Sequence, residues 1–243
     1  MNKNYLLMPE ARTYVLGVEA LREYSAKGYS MQSLYTRTDG SWIVRALTFK
    51  ENLQARVEDY NTLKNADGSV KTDDERLRLF NRWNDSCTGI SYKAGATKFK
   101  IVHQSLDLIE IPSEFNKQFM QIDYDSIDCI EFDSSDAKYR TSLSLSKIKS
   151  HPAWLAAVEG DVTLLSEYSD IVFSLLKEKY NGTNGMGFYV RSNTGTDELR
   201  ALWVDYLYGY SGASGDYSLN NGGSFLLVAP SQKISTRNKG RTK

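Results

Sequence analysis

Six carboxylates fall within residues 123–136 (DYDSIDCIEFDSSD): Asp123, Asp125, Asp128, Glu131, Asp133 and Asp136. Clustered carboxylate oxygens suit a hard divalent cation such as Mg²⁺ or Ca²⁺, and Asp123 and Asp125 would share one face of an extended segment. A metal-dependent hydrolase or nuclease centred on Asp123, Asp125 and Asp128 is one chemistry this run suggests. The spacing departs from the EF-hand loop, which requires a central glycine and a terminal bidentate acid. Carboxylates that flank turns and strand ends are more often simply solvated. The expectation is therefore that the chain holds no metal and no other cofactor.

Other chemistry-bearing residues are sparse. His103, His151, Cys87 and Cys129 are scattered, and no CxxC occurs, so a zinc site would need the fold to unite all four. His103 falls on the apolar side of an alternating segment. His151 precedes Pro152 and reads as a helix cap, and the thiols read as reduced and structural. Gly209-Tyr-Ser211-Gly-Ala213 and Gly212-Ala-Ser214-Gly-Asp216 approach a nucleophile elbow but miss its pattern, which also needs a strand running into a helix. No GxxxxGK[ST] is present, and Gly182, Gly185 and Gly187 lack dinucleotide-binding spacing. The chain leans away from enzymes.

Recognition is the alternative chemistry. Tyr206–Ser224 (YLYGYSGASGDYSLNNGGS) is made of Tyr, Gly, Ser, Asn, Ala, Leu and Asp, and it joins two apolar runs that read as strands. Tyrosine offers a rigid amphipathic contact area, and Ser, Gly and Asn offer adaptable hydrogen bonds, the mixture used by protein-binding loops. The expected contacts are Tyr206, Tyr208, Tyr210, Tyr217, Asn220 and Asn221. If 206–210 is extended, its three tyrosines share a side. The competing reading is a plain connection between strands. Residues 231–243 add Lys233, Arg237, Lys239, Arg241 and Lys243 with no acid, although the whole chain has 30 basic and 30 acidic residues. Such a tail fits nucleic acid or an acidic partner surface as well as mere solubility. The body, net acidic by difference, has no basic stripe, and its 16 tyrosines only permit base stacking.

These residues need elements to position them. Ala11, Tyr14, Val18 and Leu21 space as a first helix, and Asp39-Gly40 fits a type I′ hairpin turn. Phe49, Leu53, Val57, Tyr60 and Leu63 form a second helical stripe. Thr72-Asp-Asp-Glu75 has capping-box spacing before Leu77, Phe80 and Trp83. Residues 85–96 are polar and glycine-bearing, so they read as a boundary or connection. Period-two segments follow at 97–103 and 139–146, with a short helix through Phe115, Phe119 and Ile122, and a strand over 127–132 that pairs with 139–146. His151-Pro152 opens a helical piece, Gly160 interrupts it, and Asp161 caps a long amphipathic helix at 161–180. Strands are expected at 187–191, 199–208 and 224–229, the last two central in a sheet.

The fold class expected is α+β, with mixed, largely antiparallel sheets, packed amphipathic helices and a β-rich C-terminal region. Residues 1–95 and 96–230 read as two regions or one continuous domain, followed by the tail. No apolar run reaches the roughly 18 residues of a membrane helix, and residues 1–14 lack a signal-peptide pattern. The expected role is a non-enzymatic interaction or assembly protein using 206–224. Its partner would be another protein or a second copy, in the cytoplasm or on a virion if the chain is phage- or mobile-element-encoded.

Overall fold

The computed structural model describes residues 16–17, 45–65, 68–103, 119–180, 185–208, 211–216, 224–225 and 227–228. The Asp39-Gly40 turn and the basic segment 231–243 lie outside them. Strand β2 (Arg45–Ala46) leads into helix α1 (Phe49–Asn61). Thr48 and Glu51 start α1 with a reciprocal capping box, Thr48 Oγ1 accepting from Glu51 N at 3.2 Å and Glu51 Oε2 from Thr48 N at 3.0 Å. Phe49, Leu53 and Val57 are buried, whereas Leu63 lies past the helix end and is 59% exposed. Thr72 and Glu75 repeat the box at helix α2 (Asp73–Leu77), where three acids complement the helix dipole.

Two long antiparallel strands form the middle of the sheet: β3 (Asn84–Tyr92) and β8 (Glu198–Val204). The far edge of β3 is shared. β4 (Lys98–Val102) pairs along residues 89–92, and β10 (Ser224–Phe225) meets Asp85. The far edge of β8 divides likewise between β5 (Met120–Gln121) and β9 (Ser211–Ser214). β6 (Glu131–Asp133) extends β4, β7 (Met186–Tyr189) runs parallel to β9, and β1 (Leu16–Gly17) pairs with β10. β11 (Leu227–Val228) pairs with β2. Among the described pairings between named strands, β10–β3 and β7–β9 are parallel and the others antiparallel. Helices α3 (Leu145–Lys149), α4 (Pro152–Ala157) and α5 (Val162–Tyr180) pack with α1 to complete the core. The result is α+β, helices against a curled mixed sheet.

Several expected elements hold. His151 Nδ1 caps α4, accepting from Trp154 N at 3.4 Å. Gly160 breaks the chain at φ +77°, and Asp161 Oδ1 caps α5 by accepting from Leu164 N at 3.0 Å. Leu164, Leu165, Tyr168, Val172, Leu175 and Leu176 bury one face of α5.

Other expectations are corrected. Leu16–Gly17, inside the expected first helix, is strand β1. Residues 85–96 are not a connection, since most of them form β3 at the centre of the sheet. Two of their small polar side chains are paired inside: Thr88 Oγ1 accepts from Phe49 N at 3.0 Å, and Ser86 Oγ donates to Leu202 O. The 139–146 strand is also absent. Ala137–Tyr139 is a 3₁₀ turn and Leu145 begins α3, whose Leu145 and Ile148 have the three-residue spacing of a helix. Leu143 makes only an isolated bridge to Met186. The strand near 127–132 is confined to β6 and pairs with β4 instead. Met120–Gln121 is a strand where the short helix through Ile122 was expected. Finally, 206–224 is not one loop, because β9 lies within it and is buried.

Candidate recognition surface

The chain leaving β8 carries Asp205, Tyr206, Leu207 and Tyr208, and the core fixes its backbone at several points. Arg56, fully buried on α1, donates Nη1 to Asp205 O at 2.9 Å and Nη2 to Arg82 O at 2.6 Å and Val204 O at 3.3 Å. Asp205 N donates to Gly212 O at 2.9 Å, and Leu207 N donates to Phe80 O at 2.7 Å. Tyr180 Oη, at the end of α5, donates to Leu207 O at 3.1 Å. A guanidinium serving three carbonyls is a rigid fork, with little freedom left to lose on binding. Burial pushes the Asp205 carboxyl up to about 7, while the Arg56 charge pulls the other way.

On this support lies a continuous run of rings. Trp203 sits 5.5 Å from Trp83, Trp83 5.4 Å from Tyr206, Tyr206 5.8 Å from Tyr208, and Tyr208 6.4 Å from Tyr180. Trp203 is buried and Tyr206 half-buried, but Trp83 is 39% and Tyr208 65% exposed. Tilted and edge-on pairs at these spacings are favourable ring contacts, so the rings hold each other as a strip whose outer side is wet. Tyr210, Tyr217, Asn220 and Asn221 lie outside the described residues. Trp83 belongs to the strip, which corrects its expected place on the apolar face of α2. That helix stops at Leu77, and the turn after it carries Trp83 outward.

The acidic run does not converge. Asp123 caps a 3₁₀ turn by accepting from Asp125 N at 3.2 Å, and Asp125 pairs with Lys93 at 2.7 Å. Glu131 accepts from Tyr124 Oη at 3.2 Å, Asp136 caps the next turn, and Asp128 is exposed. Asp133 accepts from Thr97 Oγ1 at 2.7 Å and Ser135 N at 2.9 Å, and these donors hold its carboxyl far below the usual range. Among the described residues, no group of three or more His, Cys, Asp or Glu side chains is placed to hold a metal ion.

The remaining candidates are buried or half-buried. His151 is buried and stacks on Phe188 at 5.8 Å, and burial pushes it down to about 4. His103 is half-buried, and among the described residues Cys87 and Cys129 form no disulfide. Ser211 and Ser214 are buried on β9, and Ser214 Oγ donates to Asp216 Oδ1. Neither heads a helix.

No protein-family model matches the chain, and no curated protein matches its sequence. A match does exist among solved structures. A structure described as "Accommodation of massive sequence variation in Nanoarchaeota by the C-type lectin fold" superposes with a TM-score of 0.51 at 16% identity, covering 84% of this chain and 91% of that one. At that identity the likeness is one of fold. The class it defines is the C-type lectin fold, an α+β architecture. Among the described residues, no helix is long and apolar enough to cross a membrane.

Proposed function

We propose that the chain is a non-enzymatic binding protein that holds another protein, or a second copy of itself, on the aromatic strip. The observation that supports this reading is the run Trp203–Trp83–Tyr206–Tyr208–Tyr180, wet on its outer side and backed by the Arg56 fork. Exposed aromatics on a rigid base are characteristic of binding hot spots, since they give contact area without an ordering cost. Tyr210, Tyr217, Asn220 and Asn221 would extend the contact along the segment that follows. The related fold is described as accommodating massive sequence variation, and a scaffold that tolerates surface change suits recognition. The narrower form of the reading, assembly or host-factor binding by a phage or mobile-element protein in the cytoplasm or on a virion, rests on composition: few histidines, Tyr/Asn/Ser/Gly loops and a basic tail.

The test is a titration of a partner captured from the native host against the parent chain and a Trp83→Ala/Tyr208→Ala variant. A loss of about 2 kcal/mol or more per anchor, roughly thirtyfold, is expected. Equal binding by a folded variant would remove the strip from the interface. Residues 231–243 are proposed as a second anchor on an acidic surface or nucleic acid. Deleting them should leave the melting temperature unchanged and flatten the salt dependence of polyanion binding by up to about five counterions.

A further inference from the structure

We propose that a cleft of about 430 Å³ beyond the end of β7 is a second binding site, one that takes the side-chain carboxylate of an acidic peptide segment. It is independent of the aromatic strip. Tyr139, Arg140, Tyr189, Arg191, Asn193 and Asp216 line it. Two arginines therefore line one cavity, and only Arg191 has an ion pair elsewhere, a long one. Among the described residues Arg140 pairs with no carboxylate. Arg191 Nε only approaches Glu198 Oε1 at 4.0 Å, and Glu198 already accepts from Arg200 at 2.9 and 3.2 Å. Planar guanidinium forks match the two oxygens of a carboxylate.

The cleft is built on buried parts. The Tyr189 ring lies across Gly187 and its register partner Gly212 on β9. A Cβ on Gly187 would come within 2.4 Å of the ring, and one on Gly212 within 3.0 Å. Glycine at both positions is what lets the ring lie down as a floor, and its hydroxyl meets Ser142 Oγ at 3.1 Å. One buried phenol sets the rim: Tyr92 Oη accepts from Arg191 N at 3.3 Å and donates to Gly215 O at 2.8 Å. Gly215 N in turn donates to Tyr189 O at 2.9 Å.

Asp216 decides between anions. Its carboxylate, held by the Ser214 hydroxyl, repels a phosphate dianion but accepts an N–H beside a carboxylate. An acidic residue within a peptide carries both groups: a carboxylate for the arginines and a backbone amide for Asp216.

The experiment titrates the ¹⁵N-labelled full chain with acetyl-Gly-Glu-Gly-amide, following the arginine Nε–Hε signals. A saturable shift is expected, at least tenfold weaker for the Gln-containing peptide and for inorganic phosphate. In an Arg140→Gln/Arg191→Gln variant with unchanged melting temperature, affinity should fall at least tenfold. If that variant does not fold, Arg140→Gln alone, on an exposed turn, should lose threefold or more. Asp216→Asn should narrow the gap between peptide and phosphate. The basic tail is present in parent and variant alike, so it cannot produce the loss seen on replacing the arginines. Equal binding of the Gln peptide, equal binding by a folded arginine variant, or phosphate binding as tightly as the peptide would each overturn the proposal.

Discussion

Two trains of aromatic rings run through the molecule at similar spacing and opposite burial. In the core, Phe49 lies 5.5 Å from Trp154, Trp154 6.0 Å from Phe188, Phe188 6.5 Å from Phe99, and Phe99 5.2 Å from Tyr139. At the surface, the strip from Trp203 to Tyr180 has contacts of 5.4 to 6.4 Å. Ring geometry alone does not separate them, but what holds each ring does. The core rings come from α1, α4, β7, β4 and a 3₁₀ turn, and each bridges separate elements. Tyr206 and Tyr208 of the strip ride on a backbone already held by Arg56, Gly212 and Phe80. Stability should therefore depend on the first train and recognition on the second.

The largest test of that division is Trp154→Ala. Deleting a fully buried ring that touches Phe49, Tyr168 and Phe188 should cost about 3–5 kcal/mol in denaturant melts. A loss under about 1 kcal/mol, the size of an ordinary substitution, would break the comparison. Arg56→Leu comes next. It strips the donor from three carbonyls, two of them in buried hydrogen bonds, and should cost on the order of 3 kcal/mol. Because those carbonyls carry the strip, it should weaken partner binding too, which sharpens the contrast with Trp154.

Asp205 gives a pH-dependent test. Its carboxyl stands at about 7 when folded, against about 3.9 unfolded. Between those values the folded chain keeps a proton that the unfolded chain has released, so stability falls as pH rises. His151, lowered to about 4, titrates in the opposite sense below about pH 6.5. The informative quantity is thus the difference between the parent and Asp205→Asn. It should shift against the parent by up to about 1.4 kcal/mol per pH unit across that window, and a constant difference would sink the assignment. The smallest effect expected is that of Tyr208→Ala on stability, within about 0.5 kcal/mol. A larger loss would move Tyr208 from the recognition train to the structural one.

The long helix and its caps were legible because Asp161, Gly160 and the α5 stripe act locally. The capping box at Thr72 was legible for the same reason. β3 was misread because burial of Ser86 and Thr88 depends on partners as distant as Phe49 and Leu202, which no window of the chain contains. The 139–146 alternation misled because serine, a weak strand signal, also caps helices, as Ser144 does by position at α3. At the surface, Tyr206 and Tyr208 stood out by composition. Trp83 and Tyr180 join them only through the fold, and so does the cleft, whose Arg140, Arg191 and Asp216 lie in three separate segments.

The strand pairings also constrain how the protein is made. Leu16 pairs with Phe225, and Arg45 with Val228. A ribosome releases the early strands of these pairs long before their partners exist. β1 and β2 must wait, unpaired, through most of synthesis, and contacts so far apart in sequence close slowly. The main sheet can be completed only once β10 has emerged, and the two-stranded β2–β11 sheet only once β11 has. During translation, the segments carrying β1 and β2 are the part of this protein with most need of protection from stray pairing.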